Sequence, residues 1–187
     1  MKNISLSFAT VLLVLGTHVF GAAPTRDWRA IADSAQHNHP YGVNSNTNAL
    51  WSLMQYKGPY ELLLTKGKDG GLIVEARRDE VLCHRWSIGT HGTPFLIKDN
   101  VLYYPIVPGG TTGCTIVALD LDAKKELWRT ALEAMGFIDH SKYTNFGVSL
   151  RFEQEALRID GRETAGRYIE FLDLRTGKTL ANRQIGP

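Results

Sequence analysis

Thr115-Ile116-Val117-Ala118-Leu119-Asp120-Leu121-Asp122-Ala123-Lys124-Lys125-Glu126-Leu127-Trp128 and Tyr168-Ile169-Glu170-Phe171-Leu172-Asp173-Leu174-Arg175-Thr176-Gly177-Lys178-Thr179-Leu180 follow one pattern at a constant offset of 53 residues, Asp120 to Asp173 and Leu127 to Leu180. Each is an apolar β-prone run, an Asp, a short polar break and a second run, which reads as strand, turn, strand. The Asp has a physical task, because its short acceptor side chain can bond the backbone amides that follow and fix the turn. In the later copy Thr176-Gly177 supplies a glycine able to take positive φ at low cost, whereas the earlier copy has Ala123-Lys124 there.

Working outward, Phe95-Leu96-Ile97-Lys98-Asp99-Asn100-Val101-Leu102-Tyr103 resembles Leu150-Arg151-Phe152-Glu153-Gln154-Glu155-Ala156-Leu157-Arg158. The unit is therefore strand, strand, connection, strand, turn, strand. A fainter copy runs from Leu62 to Trp86, with Glu61–Thr65 and Gly71–Glu75 flanking the hairpin connection Lys68-Asp69-Gly70. Helical periodicity is nearly absent, so the fold class is all-β. About three four-stranded units have the period expected of propeller blades. This predicts a partial or degenerate β-propeller over 23–187, with a short N-terminal helix. Trp28, Ile31, Ala32 and Ala35 have the spacing for that helix, with Thr25 or Asp27 as its N-cap.

These residues resemble the tryptophan-docking repeat of quinoprotein-like β-propellers, in which Ala, Asp, Thr-Gly and Trp recur at fixed steps. Ala118, Asp120 and Trp128 match in one unit, and Asp173, Thr176 and Gly177 in the next, where Phe171 and Ala181 replace the Ala and Trp. The two partial matches cover about half of 23–187. Enzymes of that family use a vicinal disulfide, a calcium site and a full ring of blades around the cofactor. Here the two cysteines are not adjacent and three units are too few for a ring, so no cofactor, metal or catalytic residue is expected.

The beginning of the chain reads as an export signal. Met1-Lys2-Asn3 precedes an apolar run from Ile4 to Phe20 and the small-residue exit Gly21-Ala22-Ala23. The run is shorter than the roughly 20 apolar residues of a membrane span. The expectation is a signal over 1–22, a periplasmic mature domain over 23–187 and no membrane insertion after its removal. With 43% hydrophobic residues the chain can build a core, and a net charge of +2 gives no basis for nucleic-acid binding. In an oxidising compartment Cys83 and Cys114 read first as a disulfide, the alternative being two free thiols.

Other residue groups were weighed for chemistry. His37 and His39 bring no further ligand with them, and Cys83 beside His84 on a strand points to opposite faces. Asp160-Gly161-Arg162-Glu163 reads as a solvated turn rather than a pair of working carboxylates. The stretch Pro108, Gly109, Gly110, Thr111, Thr112 and Gly113 has small side chains that fit a partner's cleft, or else is a plain hairpin connection. An open arc of blades leaves faces to be covered by the chain or by a partner. In size and architecture the chain is similar to periplasmic immunity proteins that block toxins such as the cell-wall amidases of type VI secretion. That likeness implies a protein partner, a secreted toxin enzyme. An envelope scaffold with quinoprotein-like blades, or the remnant of a quinoprotein dehydrogenase, are the alternatives.

Overall fold

The computed structural model describes residues 26–36, 52–89, 93–106, 114–133, 147–163 and 166–186. The expected export signal, His37, His39 and the stretch 108–113 lie outside them. Among the described residues the protein is mostly β, as three antiparallel sheets of consecutive strands. The first holds β1 (Glu61–Lys66), β2 (Leu72–Arg78) and β3 (Val81–Gly89). The middle sheet holds β4 (Leu96–Lys98), β5 (Val101–Ile106), β6 (Thr115–Asp120) and β7 (Lys125–Ala131). The third holds β8 (Gly147–Glu153), β9 (Ala156–Glu163), β10 (Gly166–Asp173) and β11 (Thr179–Ile185).

Local chemistry explains the hairpins. Asp79-Glu80 and Asp99-Asn100 both take positive φ at their two central positions, the mirror-image turn whose twist suits a two-residue hairpin. Asp120 Oδ1 accepts from the amides of Asp122 and Ala123 at 2.9 and 2.8 Å. Asp173 Oδ1 accepts from the amide and hydroxyl of Thr176, both at 2.7 Å. Gly177 takes φ +70° and Lys124, its counterpart 53 residues earlier, φ +53°. The lysine therefore adopts the left-handed backbone at a steric cost the glycine avoids.

The three sheets also share a bulge. Pairing slips by one residue in the last strand of each, so that Cys83, Leu127 and Leu180 are left without a cross-strand partner. Aligned on that bulge, Ala76, Ala118 and Phe171 are equivalent, and so are His84, Trp128 and Ala181.

Stacking follows from the alternation of side chains across each strand. Val74, Ala76, Trp86 and Ile88 of the first sheet pack against Leu102, Leu119 and Leu121 of the middle one. The other face of the middle sheet, with Tyr103, Ile116, Ala118 and Trp128, packs against Val148, Leu150, Leu157, Ile159, Tyr168 and Leu172 of the third. No core cluster of described residues joins the first sheet to the third, so the stack is open.

The far face of the third sheet is closed by α1 (Trp28–Ser34). Asp27 caps this helix, accepting from the Ala30 amide at 3.0 Å. Trp28, Ile31, Ala32 and Ala35 pack on Ala156, Ile169, Phe171 and Ala181, so the helical spacing read from the sequence places one stripe on this sheet. At the opposite end of the stack the outer face of the first sheet is charged. There Glu75 pairs with Arg77 at 2.8 Å and with Arg85 at 3.9 Å.

Two readings are corrected. Cys83 and Cys114 are free thiols, not a disulfide. Cys83 lies against the core between the first and middle sheets, Cys114 in the core between the middle and third, so the middle sheet stands between them. Packed sheets lie about 10 Å apart, whereas a disulfide needs Cα atoms within roughly 7 Å. Asp160 is not in a solvated turn: it lies within β9 and is 1% exposed.

Candidate functional site

Three places bring polar or aromatic groups from distant parts of the chain together. Between the middle and third sheets, Trp128 lies on the turn of the third. Its Nε1 donates to the Leu174 carbonyl at 3.0 Å, and Thr130 Oγ1 donates to the Gly177 carbonyl at 2.7 Å. A β-carbon at Gly177 would sit 2.6 Å from Trp128 Cδ2, so only glycine admits the ring. Tyr103 packs on Trp128 at 5.8 Å and on Phe152 at 5.5 Å, and burial pushes its phenol up to about 12. Of the repeat residues singled out in sequence, Trp128, Asp173, Thr176 and Gly177 thus meet at one joint, while Ala118 lies opposite Trp128 in the ladder and Asp120 holds the neighbouring turn.

The joint between the first and middle sheets is built differently. Asp122 accepts from Tyr60 Oη at 2.6 Å, Arg78 at 2.7 Å and Asn100 Nδ2 at 2.8 Å, and the Arg78 guanidinium lies 4.4 Å from the Tyr60 ring centre. Burial and the Asp122 carboxylate together raise the Tyr60 phenol far above its ordinary value. Lys124 Nζ donates to the Leu82 carbonyl at 2.9 Å. Where the second joint has Trp128 against Gly177, the equivalent residues here are His84 and Lys124. A side chain at Lys124 leaves no room for an indole, and Trp86 packs two positions further on, edge to face with Phe95 at 5.1 Å.

The third place lies under α1. Arg158, 3% exposed, donates two hydrogen bonds to Asp160 at 2.8 and 3.0 Å, one to Glu153 at 3.2 Å and one to the Gln36 carbonyl. Arg183 donates to the carbonyls of Ala32 and Asp33, and Arg29 to that of Asn182 at 3.2 Å. Arg183 therefore satisfies two carbonyls of the helix's last turn, where a cation also meets the negative end of the helix dipole, and Arg158 satisfies a carbonyl just past the helix end. Sequence reasoning missed this cluster because charges read as solvated. The available signal was Arg158-x-Asp160 inside a strand, which puts opposite charges on one face.

The ends of the stack differ as well. The hairpins β2–β3, β4–β5, β6–β7, β8–β9 and β10–β11 all turn at one end, within tight connections. Antiparallel pairing puts the other ends of these strands, among them Ile106, Thr115 and Ala131, at the opposite end. The candidate partner residues 108–113 lie outside the described residues. Among the described residues no three His, Cys, Asp or Glu side chains gather as a metal site. In comparisons with known proteins, neither a protein-family model nor a curated protein matches the chain.

Proposed function

We propose that the chain is a non-catalytic, exported protein-binding domain, three units of a degenerate propeller-like repeat, that acts as an immunity-type inhibitor of a secreted toxin enzyme. The observation that carries this reading is the division of labour between the two ends of the sheets. One end carries the turns at the joints between sheets, two of them held by Asp120 and Asp173. At the other, Ile106 and Thr115 bound the two central strands of the middle sheet, and the sequence between them is rich in Gly and Thr. Loops carried by a rigid sheet framework are where recognition usually resides. The residues that flank 107–113 are held: Ile106 pairs with Thr115, and the Cys114 carbonyl accepts from the Leu132 amide at 2.9 Å. A loop with fixed ends and small side chains can enter a narrow cleft at little entropic cost.

The test is protection. Cells making the protein encoded beside this one in their periplasm should die without this chain and survive with it. Replacing 108–113 by a two-residue turn should abolish protection while leaving the thermal melt nearly unchanged. Survival without the chain sinks the immunity reading, and protection by the shortened variant removes the loop from it.

A further inference from the structure

We propose that the free edge of β1 receives an extended peptide segment of a partner protein as the fourth strand of the first sheet. The segment runs antiparallel to β1, acidic where it meets Lys66, apolar across Leu64, Leu63 and Leu62, and basic where it meets Glu61. The ladder fixes which backbone groups are on offer. Gly67 donates to the Gly71 carbonyl at 2.7 Å, so the bonds from β1 to β2 continue at every second residue, Thr65, Leu63 and Glu61. The amides and carbonyls of Leu62, Leu64 and Lys66 therefore point away from β2, and among the described residues nothing bonds to them. Tyr60, next in the same alternation, gives its amide to Tyr56 Oη at 3.2 Å, which closes the edge only where the strand begins.

The fold fills this position twice elsewhere. β5 and β9 are the counterparts of β1, and each is flanked by an antiparallel strand, β4 or β8, that the first sheet lacks. Those strands bring apolar side chains to the cores, Leu96 and Ile97 from β4, Val148 and Leu150 from β8. That sets the chemistry for the middle of the incoming segment. Its ends follow from charge, because Glu61 and Lys66 close β1 at either end and opposite charges across a ladder attract. The edge is also unguarded. A bulge interrupts each of the edge strands β3, β7 and β11. β4 has three residues and ends on Lys98, and β8 carries Arg151 and Glu153. β1 instead runs for six residues without bulge or proline and leaves Leu64 38% exposed. A strand added there gains affinity from main-chain bonds and selectivity from alternate side chains.

The probe is an end-blocked, fluorescein-labelled peptide, glutamate-threonine-valine-leucine-valine-arginine, titrated with the full chain and followed by fluorescence anisotropy. It should bind. N-methylation of either valine, opposite Leu64 and Leu62, removes a bond to the edge and should weaken binding about tenfold. N-methylation of the threonine or the leucine, whose amides face away, should leave it within about twofold. Leu64→Pro removes an amide from the free side, where an edge strand tolerates proline, and should also cost about tenfold. If that variant fails to fold, the N-methyl series decides alone, since it leaves the protein unaltered. Hydrogen exchange should protect the amides of Leu62, Leu64 and Lys66 only when peptide is present. No binding at about 1 mM peptide, or binding indifferent to the position of the methyl group, overturns the proposal. So does protection of the three amides in the unliganded monomer, which puts a segment of the same chain on the edge, or protection that rises with protein concentration, which puts a second copy there.

Discussion

A methyl group added at Gly177 meets two penalties at once, a left-handed backbone at φ +70° and the Trp128 ring 2.6 Å away. Gly70 has a similar backbone, φ +83°, but nothing within 4 Å of the added carbon. The pair separates the two costs. Gly70→Ala should lose only the backbone term, about 1 kcal/mol. Gly177→Ala should lose about 3 kcal/mol, because the indole must also leave its seat and give up its bond to Leu174. For a chain of this size that is roughly 6–12 °C in melting temperature, with a red shift in Trp128 emission. Equal melting temperatures for the two variants would mean that the joint is not built on this contact. The cysteines make a second test at the same scale. Burial holds the Cys114 thiol far above its ordinary value, with the Glu170 carboxylate adding to the effect, whereas Cys83 is half-buried. In the folded protein a thiol reagent should modify Cys83 alone, and in denaturant both. Reductant should leave the melting temperature unchanged. A drop on reduction would restore the bridge that the stacking of sheets rules out.

At the scale of elements, the buried ion pair on β9 is the feature hardest to justify by stability alone. Desolvating Arg158 and Asp160 costs several kcal/mol, which their mutual bonds roughly offset. Tyr103 stands where Arg158 does in the equivalent strand of the middle sheet, and Leu62 in the first. The pair's use is orientation, since it aims Arg158 at the end of α1. Asp160→Asn leaves Arg158 only the partly exposed Glu153 carboxylate and should cost about 3 kcal/mol in chemical denaturation, whereas Arg158→Met with Asp160→Leu should cost distinctly less. A double variant worse than the single would show that the charges themselves stabilise the sheet. This cluster also marks the limit of what the sequence made legible. The strands, the Asp-held turns and the helix stripe were readable because each depends on neighbours within a few residues. The odd motif in the last unit was readable as a mismatch, but its cause was not: Phe171 and Ala181 depart from Ala118 and Trp128 because a helix from the start of the chain covers them. The disulfide was misread for the same reason. Cysteine counting is blind to which side of a sheet each thiol faces, and Cys83 occupies a bulge that resets the alternation.

For the molecule as a whole, the order of assembly follows from which contacts are local. Every strand pairs with its neighbour in sequence, so each sheet can form from short loops. Joints between successive sheets come next, closing segments of a few tens of residues. Only α1 must travel, since residues 28–34 dock on β10 and β11 about 150 residues away. Closing that loop before the third sheet exists gains nothing, so α1 should seat after the folding barrier. Arg183 is the probe because it ties β11 to the Ala32 and Asp33 carbonyls without entering either inter-sheet core. Arg183→Ala should weaken the native state by about 1 kcal/mol, appearing as roughly fivefold faster unfolding with refolding unchanged. Stopped-flow folding and unfolding limbs measure both. If refolding slows by the same factor instead, the helix is part of the nucleus, and the first element of the chain must find the last sheet before the sheets between them are stacked.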